Sequence, residues 1–390
     1  MTDAPAAILK ERRPERARHP WIFVGEVASL PESAVDGQAL RVLDHRRRFF
    51  ATAYCNRKSK IVLRVLSWKD ERIDDAWWTR AIAAAVRRRG DLAPDVGVRL
   101  VNAEGDGLPG LVVDRYAGWL SVQMSTLGVD AARDAIVKAL QSACAPTGIF
   151  ERSDLPERSL EGLPQRTGPM AGEPPPEFVE IAEGPARLLV DVAHGQKTGL
   201  FLDQRINRQA AAAYARGRTV ANCFAYSGGF SVHAALAGAT EVTSVDISES
   251  ACRLASKNMA LNGFSDAPVV EANCFDWLRR AQDEERRYGM IVLDPPAFAR
   301  GKSTIESALR GYKEINLRAS KLLAPEGILV SCSCSRPIGL DDFIGVVRAA
   351  GNDAGRDLQL LEERTQPPDH PVLLNAPETS YLKCLILRAP

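Results

Sequence analysis

The chain has 390 residues, with 50 Lys and Arg against 49 Asp and Glu, 45% hydrophobic and 25% charged residues; at about 150 residues per domain it reads as two or three globular domains, not as a disordered or collagen-like chain. No membrane span is expected, because the longest stretch without a formal charge, 219–240, is broken by Asn222, Ser227, Ser231 and His233, and the first residues lack the apolar core of a signal peptide. Eight cysteines without framework spacing suit a reducing cytosol, so a cytoplasmic location is expected.

Residues 1–72 hold 15 Lys/Arg and 9 Asp/Glu, a net +6 within a whole-chain +1, which leaves −5 on the remainder. A basic module on a mildly acidic body points to an anionic partner or to solvated surface charge. Within it, 40–44, 48–56 and 60–67 read as short strands of a small β-barrel or curled sheet. Ahead of them, KERRPERARHPWIF (10–23) interleaves Arg12, Arg13, Arg16 and Arg18 with Trp21 and Phe23. That mixture suits a phosphate backbone and a stacked base, although Trp21 and Phe23 are expected to plug the barrel.

Residues 74–90 read as an Ala- and Arg-rich helix, 98–102, 111–116 and 119–124 as strands, and 129–144 as a second helix. This is a compact α+β unit without visible chemistry. Residues 162–177, with three glycines and five prolines, read as an interdomain connection. The expected domains are therefore 1–72, 73–186 and 187–390.

From Arg187 onward the pattern alternates. Strands at 218–223, 241–246, 267–272, 288–294 and 327–334 are separated by helices at 229–238, 249–263, 274–282 and 303–323, with a helix at 340–351 and two closing strands. Strands alternating with helices give a parallel sheet covered on both faces, whose ligands sit outside the carboxyl ends of the strands.

The first strand of that series ends in NCFAYSGGF (222–230), where Ser227, Gly228 and Gly229 form a turn that lets backbone N–H groups approach a ligand. The GxGxxG dinucleotide fingerprint is absent. Asp246, 24 residues beyond Asn222, suits the two hydroxyls of a ribose or the N-terminus of a helix capped by Ser248. Asn273 suits an adenine contact or a helix N-cap. In VLDPPAFAR (292–300), Asp294 precedes two prolines that fix the backbone and remove donors. The resulting rigid, carbonyl-rich corner suits a planar base, with Phe298 for stacking. The last parallel strand ends in SCSCS (331–335), with Cys332 and Cys334 on one face; Cys334 is nearest the edge as a candidate nucleophile, and Cys332 is also read as a core residue. No metal site is expected, because no second Cys or His cluster lies close in sequence.

At these residues the chain resembles the class I S-adenosylmethionine-dependent methyltransferases, and most closely the bacterial 23S rRNA cytosine-5 methyltransferases that carry an N-terminal PUA domain. The resemblance runs through RHPWIF (18–23), HGQKTGLFLDQR (194–205), NCFAYSGGF, SVDIS (244–248), LDPPAF (293–298), RGYKEIN (310–316), SCSCS and DHPV (369–372). It implies an α/β fold: a C-terminal Rossmann-like domain with a mostly parallel seven-stranded sheet, a small β-barrel PUA domain and a central α+β domain. S-adenosylmethionine would be the cofactor and RNA the partner, as 23S rRNA free or in a ribosomal precursor; a homodimer stays open. Asn222, Cys223, Phe224, Ser227 and Gly228 would hold the methionine part, Asp246 the ribose and Asn273 the adenine region, with Ile247 and Cys274 also binding the cofactor. Lys197, Phe201 and Gln204 would close over the cofactor, with Asp294 beside it. Cys334 would be the nucleophile and Asp294 the acid on the base. Pro295, Pro296 and Phe298, with Arg12, Arg13 and Arg18, would bind substrate. Rival readings are a purine-nitrogen methyltransferase on the same fold, a non-catalytic RNA-binding assembly factor and, last, a nicotinamide oxidoreductase.

Overall fold

The structure, a computed structural model, describes residues 6–11, 16–299 and 301–390, with Lys302 described by its backbone alone. The chain forms two compact units. One runs to Val179 and takes in Val190–Leu202 and Pro368–Thr379; the other comprises Glu180–Leu189, Asp203–Pro367 and Ser380–Pro390. Among the described residues no helix is long and apolar enough to cross a membrane.

The first unit opens with β1 (Ala6–Leu9), β2 (Trp21–Ile22), β3 (Val27–Ser29), β4 (Ala39–Leu43), β5 (Phe49–Cys55) and β6 (Leu63–Ser67). They form one sheet in the order β2-β6-β5-β4-β1-β3, closed over Ala7, Leu9, Ile22, Val42, Ala53 and Leu63. Trp21 and Phe23 do not plug this core. Side chains alternate along a strand, so burying Ile22 turns its neighbours outward. Trp21 is half-buried and donates from Nε1 to Glu104 Oε1 at 2.8 Å, while Phe23 lies under the Arg16 guanidinium at 4.9 Å.

Next come α1 (Asp75–Arg87), β7 (Gly97–Asn102), β8 (Leu111–Tyr116), β9 (Trp119–Met124), α2 (Leu127–Ala131), α3 (Arg133–Cys144), β10 (Gly148–Ser153) and β11 (Arg166–Gly172). These strands form a second sheet, ordered β11-β10-β9-β8-β7. The Gly- and Pro-rich stretch at 162–177 is therefore not only a connection: β11 pairs antiparallel with β10, placing Pro169 opposite Phe150. β11 is the edge strand, where a missing N–H costs nothing on the solvent side.

The second unit begins with a hairpin, β12 (Val179–Glu183) and β13 (Ala186–Val190), and continues through α4 (Arg205–Ala212), β14 (Thr219–Cys223), α5 (Gly229–Leu236), β15 (Glu241–Asp246) and α6 (Glu249–Leu261). Then follow β16 (Val269–Glu271), α7 (Cys274–Asp283), β17 (Tyr288–Leu293), α8 (Ile305–Leu322), β18 (Leu323–Ser333), α9 (Leu340–Asp353), β19 (Gln359–Arg364) and β20 (Lys383–Ala389). Among the described residues these give a seven-stranded sheet in the order β16-β15-β14-β17-β18-β20-β19. It is parallel from β16 to β18, and β20 runs antiparallel to both β18 and β19. β14 and β17 are neighbours, yet the chain leaves them toward opposite edges; that divergence is the switch point at which α/β sheets bind ligands.

A buried ion cluster fastens the hairpin to this sheet's helices. Glu183 takes a bidentate pair from Arg208 at 2.6 Å and 2.6 Å and lies 2.9 Å from His233 Nε2. All three side chains are at most 4% exposed. Burial pushes the Glu183 carboxyl upward, but the Arg208 guanidinium more than offsets this and holds it down at about 2. The folded pKa thus lies below the ordinary 4.5, so the stabilisation is complete above that value and is lost as pH falls toward 2. Glu183→Gln should destabilise the protein by about 3–5 kcal/mol, because it leaves a buried guanidinium uncompensated. Thermal melts across pH 2–7 should show an acid loss in the wild type that is flattened in the variant.

Candidate active site

The loop after β14 is a strained cradle. Phe224 (φ +62°) and Tyr226 (φ +46°) lie in the left-handed region, which non-glycine residues adopt only when surrounding bonds impose it. Here Ala225 N donates to Val245 O at 3.0 Å, Phe224 N to Cys274 Sγ at 3.1 Å and Tyr226 N to Asp246 Oδ2 at 2.8 Å. Gly228 (φ +76°) opens α5, and a Cβ there would stand 3.1 Å from Ala255 Cβ. Glycine is therefore required on both conformational and steric grounds. Ser227 is buried and its carbonyl accepts from Asn258 Nδ2 at 2.8 Å.

Asp246 serves both sides of its strand end, since Oδ1 also accepts from Ser248 N at 3.0 Å. Two of about four lone-pair sites on the carboxylate are used by these backbone donors, which leaves capacity for two hydroxyls. Ser248 is the N-cap of α6. Ile247, beside Asp246, is 67% exposed, unusual for so large an apolar side chain. Asn273 takes the N-cap role for α7, accepting from Phe275 N at 2.9 Å. Asn222, Cys223 and Cys274 are buried; Asn222 Nδ2 donates to Ser231 Oγ at 2.9 Å, so these three form the floor under the cradle.

At the end of β17, Asp294 is half-buried and oriented by a relay of amides. Gln204 Nε2 donates to Asp294 Oδ1 at 2.8 Å, Asn207 Nδ2 to Gln204 Oε1 at 2.7 Å, and Arg364 Nε to Asn207 Oδ1 at 3.1 Å. Pro295 is buried and Pro296 exposed. Phe298 lies 4.6 Å from the Tyr312 ring and 6.0 Å from that of Phe275, so it is seated in an aromatic row. Leu293 of β17 and Ser331 of β18 are register partners, which brings the two strand ends together. Cys334, half-buried, donates from Sγ toward Pro295 O at 3.9 Å.

Cys332 is fully buried and is the register partner of Cys384. Hydrogen bonding with Cys384 and burial push its thiol well above the ordinary range. Of the two thiols in SCSCS, Cys334 is the accessible one.

Asn222, Cys223, Phe224, Ser227, Gly228, Asp246, Ile247, Asn273, Cys274, Asp294, Pro295, Pro296, Phe298 and Cys334 thus all lie at or just beyond the carboxyl ends of β14–β18 in one unit. Gln204 belongs to the same unit but is 2% exposed, its amide engaged by Asp294 and Asn207. Lys197 and Phe201 belong to the other unit, where Lys197 Nζ sits 4.8 Å from the Phe201 ring centroid. Arg18 is there too, exposed and 4.6 Å over Trp68. Arg12 and Arg13 lie outside the described residues. Asn207, Arg364 and Lys383 escaped the sequence reading. The one visible signal was a lysine inside the apolar run YLKCLIL (381–387).

Comparison with known proteins identifies the family. A family described as S-adenosylmethionine-dependent methyltransferase matches residues 164–388, more than half of the chain. The chain belongs to this methyltransferase family. A PUA-like domain family matches residues 10–68. Similar to this methyltransferase are two proteins named ribosomal RNA large subunit methyltransferase I. The one from Aeromonas hydrophila is 42% identical over 95% of this chain and 96% of its own, and the one from Cronobacter sakazakii is 41% identical over 94% of each. Among solved structures, a SAM-dependent methyltransferase from Streptococcus mutans has a TM-score of 0.84 at 22% identity, covering 98% of this chain and 100% of that one. A methyltransferase solved with S-adenosylhomocysteine has a TM-score of 0.85 at 23% identity with the same coverage. The fold is therefore α/β, with a methyltransferase domain preceded by a PUA-like domain, and S-adenosylmethionine is the cofactor.

Asp246→Ala should weaken S-adenosylhomocysteine binding about 10–100-fold, since hydrogen bonds to a charged group contribute about 1.5–3 kcal/mol; titration calorimetry reads this directly.

Proposed function

We propose that this methyltransferase acts in the cytoplasm on large-subunit ribosomal RNA and methylates carbon 5 of a cytosine through a transient covalent bond to Cys334. The observation that carries this reading is the partly exposed Cys334 thiol 3.9 Å from the carbonyl of Pro295, the residue after Asp294. An acid and a thiol on adjoining strand ends are the two groups that activation of a cytosine requires. Proteins named ribosomal RNA large subunit methyltransferase I match nearly the full length, and the PUA-like region is net basic, as an RNA-binding module would be.

The residues fit the cofactor. The left-handed turn at Phe224–Tyr226 and Gly228 leave room for its methionine part, Asp246 has lone pairs for the ribose hydroxyls, and the exposed Ile247 suits the face of an adenine, with Asn273 beside it. S-adenosylmethionine supplies an electrophilic methyl on a sulfonium.

The chain's own residues do the rest. The Cys334 thiolate adds to carbon 6 of cytosine, which makes carbon 5 enamine-like and nucleophilic. Asp294, oriented by Gln204 and in its acid form, donates its proton to ring nitrogen 3 as the thiolate adds and so offsets the negative charge that develops there. After methylation a base, water or the Asp294 carboxylate, takes the carbon-5 proton; the electron pair of that C–H bond re-forms the 5,6 double bond as the carbon 6–sulfur bond breaks and the thiolate leaves. The Pro295–Pro296 corner presents fixed carbonyls to the base, which must be unpaired or extruded to reach it. Arg12, Arg13 and Arg18 are assigned to the RNA backbone.

The test is mass spectrometry of RNA incubated with labelled S-adenosylmethionine. Label should appear in 5-methylcytosine, persist with Cys332→Ala and fall by about 10³-fold or more with Cys334→Ala. Label in a methylated purine, unchanged by either substitution, would sink the thiol mechanism and leave the cofactor standing.

A further inference from the structure

Lys383 is a cation buried against the turn that follows the nucleophile. It opens β20 opposite Ser333 of β18 and is 8% exposed. Its Nζ donates to Ser335 O at 2.8 Å, Ile338 O at 2.9 Å and Tyr381 O at 2.9 Å. All three ammonium hydrogens are thereby used, and among the described residues no carboxylate pairs with it. Two of the three carbonyls belong to the turn that follows Cys334, so the ammonium clamps the segment that presents the thiol. Burying a lysine ammonium without a counter-ion costs several kcal/mol, and the carbonyl cage satisfies the hydrogen bonds without neutralising the charge.

Among the described residues, Tyr312 of α8 and Lys383 interact electrostatically with Cys334, Asp294 precedes the Pro295 whose carbonyl faces the thiol, and Arg336 lies two residues further along the chain. Tyr312 donates or accepts at Ser335 Oγ, 3.0 Å away, and burial raises its phenol. Arg336 is exposed, with its Cζ 5.9 Å from the Tyr381 ring. Lys383 is the buried cation of this set. Burial pushes it down to about 8, and Cys334 is the charge that pulls it back up. That attraction is reciprocal: whatever favours the ammonium beside a thiolate favours the thiolate equally.

We propose that Lys383 is a positioning residue for Cys334, clamping the turn through three carbonyls and holding the thiol as its reactive thiolate by an uncompensated buried charge. Because its three hydrogens are committed to carbonyls, it acts by field and not by proton transfer. The inference rests on the reading of Cys334 as the nucleophile, but its test needs neither RNA nor methyl transfer.

The test is the pH dependence of Cys334 alkylation by iodoacetamide, read at that residue by peptide mass spectrometry. In the wild type the midpoint should fall below the free-cysteine value of about 8.5. Lys383→Met should raise it by about one unit or more, slowing alkylation about tenfold at pH 7. A purely structural clamp would leave the midpoint unmoved, and that result overturns the proposal. A wild-type midpoint at or above the free-cysteine value overturns it as well, even if Lys383→Met does not fold. Failure of the cytosine mechanism would instead appear as turnover retained by Cys334→Ala.

Discussion

The parallel register of β15, β14, β17 and β18 is the constraint on which the active site depends. Val245 pairs with Cys223, Cys223 with Leu293, and Leu293 with Ser331, so four strands end within two residues of one row. Asp246, Phe224 and Asp294 each follow that row by a single residue, and Cys334 by three. Groups more than a hundred residues apart in sequence reach one another without long excursions of backbone. The order of the strands supplies the room, because the chain leaves β14 and β17 toward opposite edges.

Strand ends and tight loops expose backbone groups that must be satisfied, and here the side chains proposed to meet ligands do part of that work. Asp246 holds the strained loop before it and the helix turn after it. Its carboxylate is therefore preorganised by the fold rather than by a ligand, which lowers the cost of binding. Asp294 is treated similarly, from the other direction. The Gln204–Asn207–Arg364 relay uses buried amides, none more than 2% exposed for Gln204 and Asn207, to fix one oxygen of a carboxylate that is only half-buried. Buried polar chains of this kind are worthwhile when every member has a partner, since a missing one leaves a desolvated group unpaired. The Glu183–Arg208 pair follows the same logic at the outer helices. Arg208 also lies where a side chain at Gly229 would go, so this ion pair sits directly beneath the cradle loop.

Much of the second unit was legible from alternation. Strand 241–246 and helices 249–261 and 274–283 fall within two residues of expectation, because β-branched runs and amphipathic stretches carry their own periodicity. The N-caps at Ser248 and Asn273 were also legible as alternatives, and the structure realises both. β11 was not legible: Gly and Pro signal turns locally, and only pairing with β10 makes an edge strand of them. Trp21 and Phe23 misled because hydrophobicity says that a residue will be covered but not by what.

At the site, residue types announced chemistry while positions did not. Asp-Pro-Pro and Ser-Cys-Ser-Cys-Ser mark a rigid corner and a thiol by local backbone physics, and the resemblance they carry named the family. That Cys332 faces Cys384 while Cys334 faces Pro295 depends on strand register, as does the placement of Lys383 beside Cys334. Gln204 read as a cofactor residue, and only the structure shows its bond to Asp294. The sequence by itself determined the alternating elements, the strained turns and the kinds of reactive group, because those are set by a residue and its near neighbours. Only the tertiary structure decided which groups share a site and which charges go uncompensated, because both depend on desolvation and on contacts between residues far apart along the chain.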